Sequence, residues 1–224
     1  MSKMKVIIAG GTSGIGLATA ALLANNGAEV IITGRNSGKM EQALAGLPPS
    51  VKGQLADAAD TEALKACMAA AGSIDHLVLA LSGAKGGGMF RELDLAQLKA
   101  GFEEKFFPQL QTLQAALPYM SANGSVTFIT AVSSHAKAPG TSGLGAINGA
   151  LELMVPILAK ELQPLRVNAI SPGVMDTPWW SFLPEDARQE TFRQYAQASP
   201  AGRVGKPEDV AQAIQLIMGN TFIT

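Results

Sequence analysis

The chain is predicted to fold as an α/β protein, a doubly wound parallel sheet in three α/β/α layers, and three observations carry that expectation. An apolar run, Val6-Ile7-Ile8-Ala9, leads into a glycine-rich turn and then into Leu17–Ala24, a run of strong helix formers. Short apolar segments of strand length then alternate with helix-length segments along the sequence. The third is Ile74–Leu81, an apolar run suited to a strand covered on both faces. With 224 residues, 47% of them hydrophobic, the chain suits one domain, residues 1–224, around one large core.

The first strand begins at about Lys5. Its turn, Gly10-Gly11-Thr12-Ser13-Gly14-Ile15-Gly16, stands at the mouth of a helix, where unpaired N–H groups and the helix dipole favour a phosphate. Gly10 allows a sharp turn, Gly14 lets a ligand reach bare backbone, and Gly16 lets helix pack close to strand. A second strand covers Glu29–Thr33, a helix Asn36–Ala45, and a short third strand Val51–Leu55. Asp60 is positioned to cap a helix running to Ala71, and the fourth strand is Ile74–Leu81. Gly83–Gly88 then opens a flexible loop. One long helical stretch is expected from Leu93 to Met120, kinked at Pro108, before a fifth strand at Gly124–Thr130. A helix over Ser142–Leu162, a sixth strand over Leu165–Ser171 and a helix from Pro207 to Met218 complete the alternation. In such a sheet, ligands bind beyond the carboxyl ends of the strands.

Composition narrows the function. A net charge of −1, without basic runs and with 5% aromatic residues, argues against a nucleic-acid surface. Glycine, proline or charge interrupts each apolar segment before about 20 residues, so no membrane span is expected. The single Cys67 cannot form an internal disulfide, and the first strand starts too early for a signal peptide to precede it. A cytoplasmic protein with a small-molecule ligand and no metal follows as the expectation.

Over nearly its whole length the sequence resembles the short-chain dehydrogenase/reductase family. The resemblance rests on Gly10, Gly14 and Gly16, on Asp57 after the third strand, on Arg166-Val167-Asn168, and on Pro172-Gly173-Val174-Met175-Asp176-Thr177. It implies a Rossmann-type fold that binds a nicotinamide dinucleotide. At the end of the second strand, Thr33-Gly34-Arg35-Asn36-Ser37 has no acid to accept a ribose hydroxyl. Arg35 instead offers a fork of donors suited to the extra phosphate of NADP(H), with Asn36, Ser37 and Ser13 as further donors; otherwise it is a solvated helix-start residue. Asp57 is expected at the adenine edge or as a plain helix cap, and Ser82 and Gly83 where the family carries Asn-Asn-Ala-Gly. Pro172, Gly173, Val174 and Thr177 resemble the element that holds the nicotinamide, and residues 176–202, with Trp179, Trp180, Phe182 and Leu183, the substrate lid.

The catalytic pattern departs from the family. A tyrosine four residues before a lysine supplies its acid-base chemistry, whereas here Asn148 falls at the lysine and Leu144 at the tyrosine. Lys105 falls where an asparagine is expected, suggesting that Lys and Asn have traded places. Ser134, Lys105 and Asn148 are therefore the candidate catalytic residues, with Asn148 also a ribose ligand. The alternative for Lys105 is a surface cation beside Glu103 and Glu104, and for His135 a solvated loop residue rather than a substitute acid. His76 is expected to be structural. These readings predict an NADP(H)-dependent oxidoreductase acting on a small carbonyl or alcohol, or else a silent NADP(H)-binding sensor or partner subunit. A homodimer or homotetramer is expected through the helices carrying Lys105 and Asn148, with Gly143, Gly145 and Gly149 permitting close approach.

Overall fold

The structure is a computed structural model that describes residues 3–224. Six parallel strands form one sheet in the order β3-β2-β1-β4-β5-β6, with β1 Lys5–Ala9, β2 Glu29–Gly34, β3 Lys52–Leu55, β4 Ile74–Leu79, β5 Met120–Ile129 and β6 Arg166–Ile170. Alternate side chains of each strand face opposite layers. Val6, Ile8, Val30, Ile32 and Val78 pack with α1 (Gly14–Asn25), α2 (Ser37–Gly46) and α8 (Pro207–Gly219). Ile7, Ile31, Leu77, Val126 and Phe128 pack with α3 (Thr61–Ala71), α5 (Phe107–Ala116) and α6 (Ser142–Glu161). The doubly wound three-layer expectation is met. Chain order reverses about β1, which pairs with both β2 and β4, so their carboxyl ends open the crevice where ligands of such sheets bind.

Three expectations change. The stretch from Leu93 to Met120 is not one helix: α4 (Leu95–Gly101) passes into a π turn at Phe102–Phe106, α5 begins at Phe107, and β5 already starts at Met120. Pro108 has no N–H to give, so it stands in the first turn of a new segment, and the extra residue of the π turn is absorbed just before it. A helix, α7 (Glu185–Ala198), occupies the expected lid; it has no buried residue and carries Glu190–Arg193 and Glu185–Arg188 pairs instead of an apolar face. Finally, α6 is by length and composition apolar enough to cross a membrane, which interruption by Gly and Pro was expected to prevent. In this fold it lies along β6, burying Ile147, Asn148, Leu151 and Val155.

Arg166 explains one of the family-like positions. Its guanidinium donates to the carbonyls of Ile217 and Met218 at the end of α8 and to Ile223, so the sixth strand caps the last helix. Asn168 donates to Ile223 as well.

Candidate active site

The turn after β1 bares its backbone at the start of α1. Gly10 and Gly14 take φ of +80° and +51°, the left-handed region that glycine adopts without strain. A Cβ on Gly16 would stand 2.3 Å from the Gly10 carbonyl oxygen, so the first turn of α1 lies directly under the loop. Ser13 is the N-cap of α1 but its side chain caps nothing, and the first turn holds no acid, leaving donors and positive dipole facing outward. Across the turn, a Cβ on Gly14 would lie 3.5 Å from the Thr177 side chain, which brings the glycine turn and the Pro172–Thr177 segment to the two sides of one crevice.

At the end of β2, Arg35 and Ser37 are exposed, and Arg35 joins no ion pair among the described residues. Asn36 is committed in part: its Oδ1 accepts from Lys39 N at 2.9 Å and caps α2, so only its amide NH2 can serve a ligand. Asp60 caps α3 by accepting from Glu62 and Ala63, each at 3.0 Å, whereas Asp57 accepts only from Ala59 N. The capping role weighed for Asp57 thus belongs to Asp60. Beyond β4, Ser82 is exposed, and Gly83 accepts from Trp179 Nε1 at 2.9 Å, tying the aromatic segment to the rim of the crevice. Trp180 packs edge-on to Trp179 and Phe192, and Phe182 completes the cluster.

At the ends of β5 and β6 lies a buried polar group of side chains. Lys105, on the π turn, is 7% exposed, and its Nζ donates to the Thr130 carbonyl at 3.2 Å. It is not a surface cation beside Glu103 and Glu104; burial pushes its pKa down to about 8, and the charge of Glu152 offsets part of that. Asn148 is 4% exposed; its amide donates to Ser133 Oγ at 3.1 Å and to Leu144 O at 2.9 Å, while its Oδ1 is buried without a partner. Ser134 Oγ donates back to Ala131 O at 3.1 Å, and Ser133 is the serine that bonds Asn148.

Glu152, one turn beyond Asn148, went unremarked in the sequence although it is a lone charge in the apolar run Leu151–Leu158. It accepts from Thr130 Oγ1 at 2.6 Å and Ser171 Oγ at 2.8 Å, and its Oε2 lies 2.8 Å from His135 Nε2. Burial raises its pKa, but the bonds from Thr130 and Ser171, with the nearby His135, outweigh that and hold the carboxyl below its usual range. Gln109, also unremarked, donates to Leu81 O and Ile129 O and ties the ends of β4 and β5 together. His76 is structural, bonded to Ser125 Oγ at 2.8 Å inside β4. Cys67 is buried against Gln54.

Residues 9–223 match the profile of a family described as enoyl-(acyl carrier protein) reductase. The chain belongs to the short-chain dehydrogenase/reductase family. It is 32% identical over 224 residues to the 3-oxoacyl-[acyl-carrier-protein] reductase of Thermotoga maritima, covering 93% of this chain and 87% of that one. The MalC reductase/Diels-Alderase of Malbranchea aurantiaca superposes with a TM-score of 0.89 at 28% identity, covering 100% and 92% of the two chains. A small-chain dehydrogenase solved in complex with NADPH superposes at 0.83 with 27% identity, covering 100% and 94%. Reductase or dehydrogenase chemistry is named for each of these relatives, and one of them was solved with NADPH. The residues present fit such a group: glycine backbone is bared at the mouth of α1, and the buried Asn148 Oδ1 is an acceptor lacking a donor.

Proposed function

We propose that this short-chain dehydrogenase/reductase is an NADP(H)-dependent oxidoreductase that interconverts a small carbonyl compound and its alcohol. The observation that carries the reading is the pairing of a helix mouth with bared donors and Thr177 across one crevice; a buried amine bonded to the Thr130 carbonyl and a buried amide oxygen without a partner complete the polar groups it draws on. When bound, the nucleotide supplies or accepts hydride. Gly10, Thr12, Ser13, Gly14, Ile15 and Gly16 hold its diphosphate, Arg35 with Ser37 and the Asn36 amide holds the extra phosphate, and Asp57, Ser82 and Gly83 line the adenosine side. Asn148 Oδ1 accepts from a ribose hydroxyl, and Pro172, Gly173, Val174 and Thr177 orient the nicotinamide.

In this reading Lys105 supplies positive charge behind the reacting oxygen, which a low-exposure site makes effective because little water screens it. Ser133, whose hydroxyl accepts from Asn148 and keeps its own proton, takes over the substrate contact expected of Ser134. Residues 176–202 act as a lid whose apolar part is the Trp179, Trp180 and Phe182 cluster, with Trp179 latched to Gly83. The helices of the site also carry outward apolar groups, Phe107, Leu153 and Ile157, which suit a homo-oligomer contact. Gly143 and Gly145 do not serve that contact as expected, because they face Gly86 O and Ser133 O inside the same chain.

A second reading is favoured by Leu144, which stands one turn before Asn148 where a proton-transferring side chain would be needed. On that reading the chain binds NADP(H) and turns nothing over. A screen of aldehydes, ketones and quinones for NADPH oxidation, with Lys105→Ala as control, separates the two. Turnover that falls at least tenfold in the variant supports the enzyme. Tight nucleotide binding with no turnover supports the sensor.

A further inference from the structure

Substrate choice depends on what surrounds the carbonyl, and the first turns of α6 form one side of those surroundings. Leu144, Asn148 and Glu152 recur every fourth residue and so share one stripe of the helix. Two of the three meet the segment after β5: the Asn148 amide donates to Ser133 Oγ at 3.1 Å, and Glu152 accepts from Thr130 Oγ1 at 2.6 Å. A Cβ on Gly145 would stand 2.8 Å from Ser133 O, so the start of the helix rests directly on that serine. Leu144, half-buried, is the next group along the stripe, one turn or about 5.4 Å from Asn148, and its carbonyl accepts from the same amide at 2.9 Å. Its side chain meets the loop after β4: a Cβ on Gly87 would lie 3.6 Å from Leu144 Cδ1, an ordinary van der Waals contact.

That loop is not flexible, as its glycines suggest, but pinned. A Cβ on Gly143 would stand 2.2 Å from Gly86 O and one on Gly101 2.6 Å from Lys85 O, so glycine on both helices lets the loop backbone in. Gly88 N donates to Gly140 O at 2.8 Å, and Glu104 accepts from Ala84 N at 3.3 Å. Gly86 and Gly88 take φ of +93° and +129°, whereas Gly87 lies outside the left-handed region, so it alone of the three can carry a side chain without backbone strain. The one charge of the loop, Lys85, pairs with Glu104 at 2.8 Å, and Ser142–Asn148 carries no charge at all.

Resting on the oxidoreductase reading above, we infer that Leu144 and Gly87 are specificity-determining residues: they form a fixed apolar wall against which one substituent of the substrate carbonyl lies, and that substituent is alkyl or aryl. Ser133, the substrate contact of that reading, and Asn148 supply the polar end of the site. One turn along α6 nothing offers a bond, so a carboxylate or hydroxyl held against Leu144 loses its water and gains no partner. Gly87 leaves the space over Leu144 open, and the reach of these two side chains therefore sets how large the substituent can be.

The test uses the full chain with saturating NADPH and a series of methyl ketones whose second group grows from methyl through butyl to phenyl. It adds 4-oxopentanoate beside 5-methyl-2-hexanone, its uncharged isostere. Wild type, Leu144→Ala and Gly87→Val are compared by kcat/KM across the series and by NADPH affinity. The wild type prefers the uncharged isostere at least about 100-fold. Leu144→Ala raises the ratio of kcat/KM for the phenyl ketone to that for the methyl ketone about tenfold, and Gly87→Val lowers it by a similar factor. NADPH affinity is unchanged in both, because neither residue belongs to the glycine turn or to the Pro172–Thr177 segment. Gly87 is exposed, so Gly87→Val keeps the test decisive should Leu144→Ala fail to fold. Substrate ranking indifferent to the substitutions, with NADPH bound as in the wild type, overturns the inference and leaves the oxidoreductase reading standing. Wild-type turnover of 4-oxopentanoate as fast as its isostere does the same. NADPH binding without turnover of any member overturns that reading and the inference with it.

Discussion

Lys105 and His76 are both buried bases, and their fates differ because of what surrounds them. Lys105 sits behind a carbonyl and near Glu152, with a folded pKa of about 8 against an ordinary 10.5. Since the folded chain releases this proton first, the unfolded chain binds more protons between those values, and the stability contributed at Lys105 grows as pH rises from 8 to 10.5. Below about pH 8 the full cost of the buried charge remains, on the order of 3 kcal/mol. Urea unfolding of wild type and Lys105→Met at pH 7 and about pH 10 should therefore converge or diverge by about that amount, with the wild type gaining on the variant as pH rises. His76 works at the acid end. Burial lowers it from 6.5 to about 4, outweighing the charge of Asp75, so stability present above pH 6.5 is lost as pH falls toward 4. His76→Asn, which can still bond Ser125, should lose less stability over that interval in the same unfolding experiment.

Elements built on strong local signals were legible in the sequence, and those built on tertiary context were not. The strand–glycine–helix unit, the cap Asp60, and Pro207 opening α8 all follow from side-chain chemistry within a few residues, whereas Asn36, expected inside its helix, turns out to cap it. The π turn at Phe102–Phe106 has no such local signature, because Lys105 and its neighbours read as ordinary helix formers. Helix α7 escaped notice for the opposite reason: its polar sequence lacks the period that betrays a buried face, and it reaches the tryptophan cluster only through Phe192 and Tyr195, which pack on Trp180. The lid also makes a prediction of its own. Trp179→Phe keeps the aromatic packing but deletes the bond to Gly83 O, a loss of about 1 kcal/mol. Proteolytic cutting within residues 176–202 should then quicken roughly fivefold, and saturating NADPH should slow it again. Glu152 shows the limit from another side, since a lone acid in an apolar helix advertises a partner without naming it, and Thr130, Ser171 and His135 come from three other segments.

For the molecule as a whole, the strand order sets where everything must meet. Reversal at β1 and β4 opens the crevice, the glycine turn and Thr177 flank it, and the acid-base cluster lies at the ends of β5 and β6. In the proposed function Arg35, at the far end of β2, selects the phosphorylated nucleotide, as charge-assisted bonds to a phosphate are worth about 1.5–3 kcal/mol, or roughly ten- to a hundredfold in affinity. Binding at a hundred times Kd would stabilise the fold by about 2.7 kcal/mol, so the same preference should appear in thermal melts. Isothermal titration of the wild type and Arg35→Ala with NADPH and NADH tests this most directly. NADPH binding at one site per chain, at least tenfold tighter than NADH and levelled by Arg35→Ala, is the predicted result; no heat with either nucleotide, or tighter binding of NADH, would contradict it.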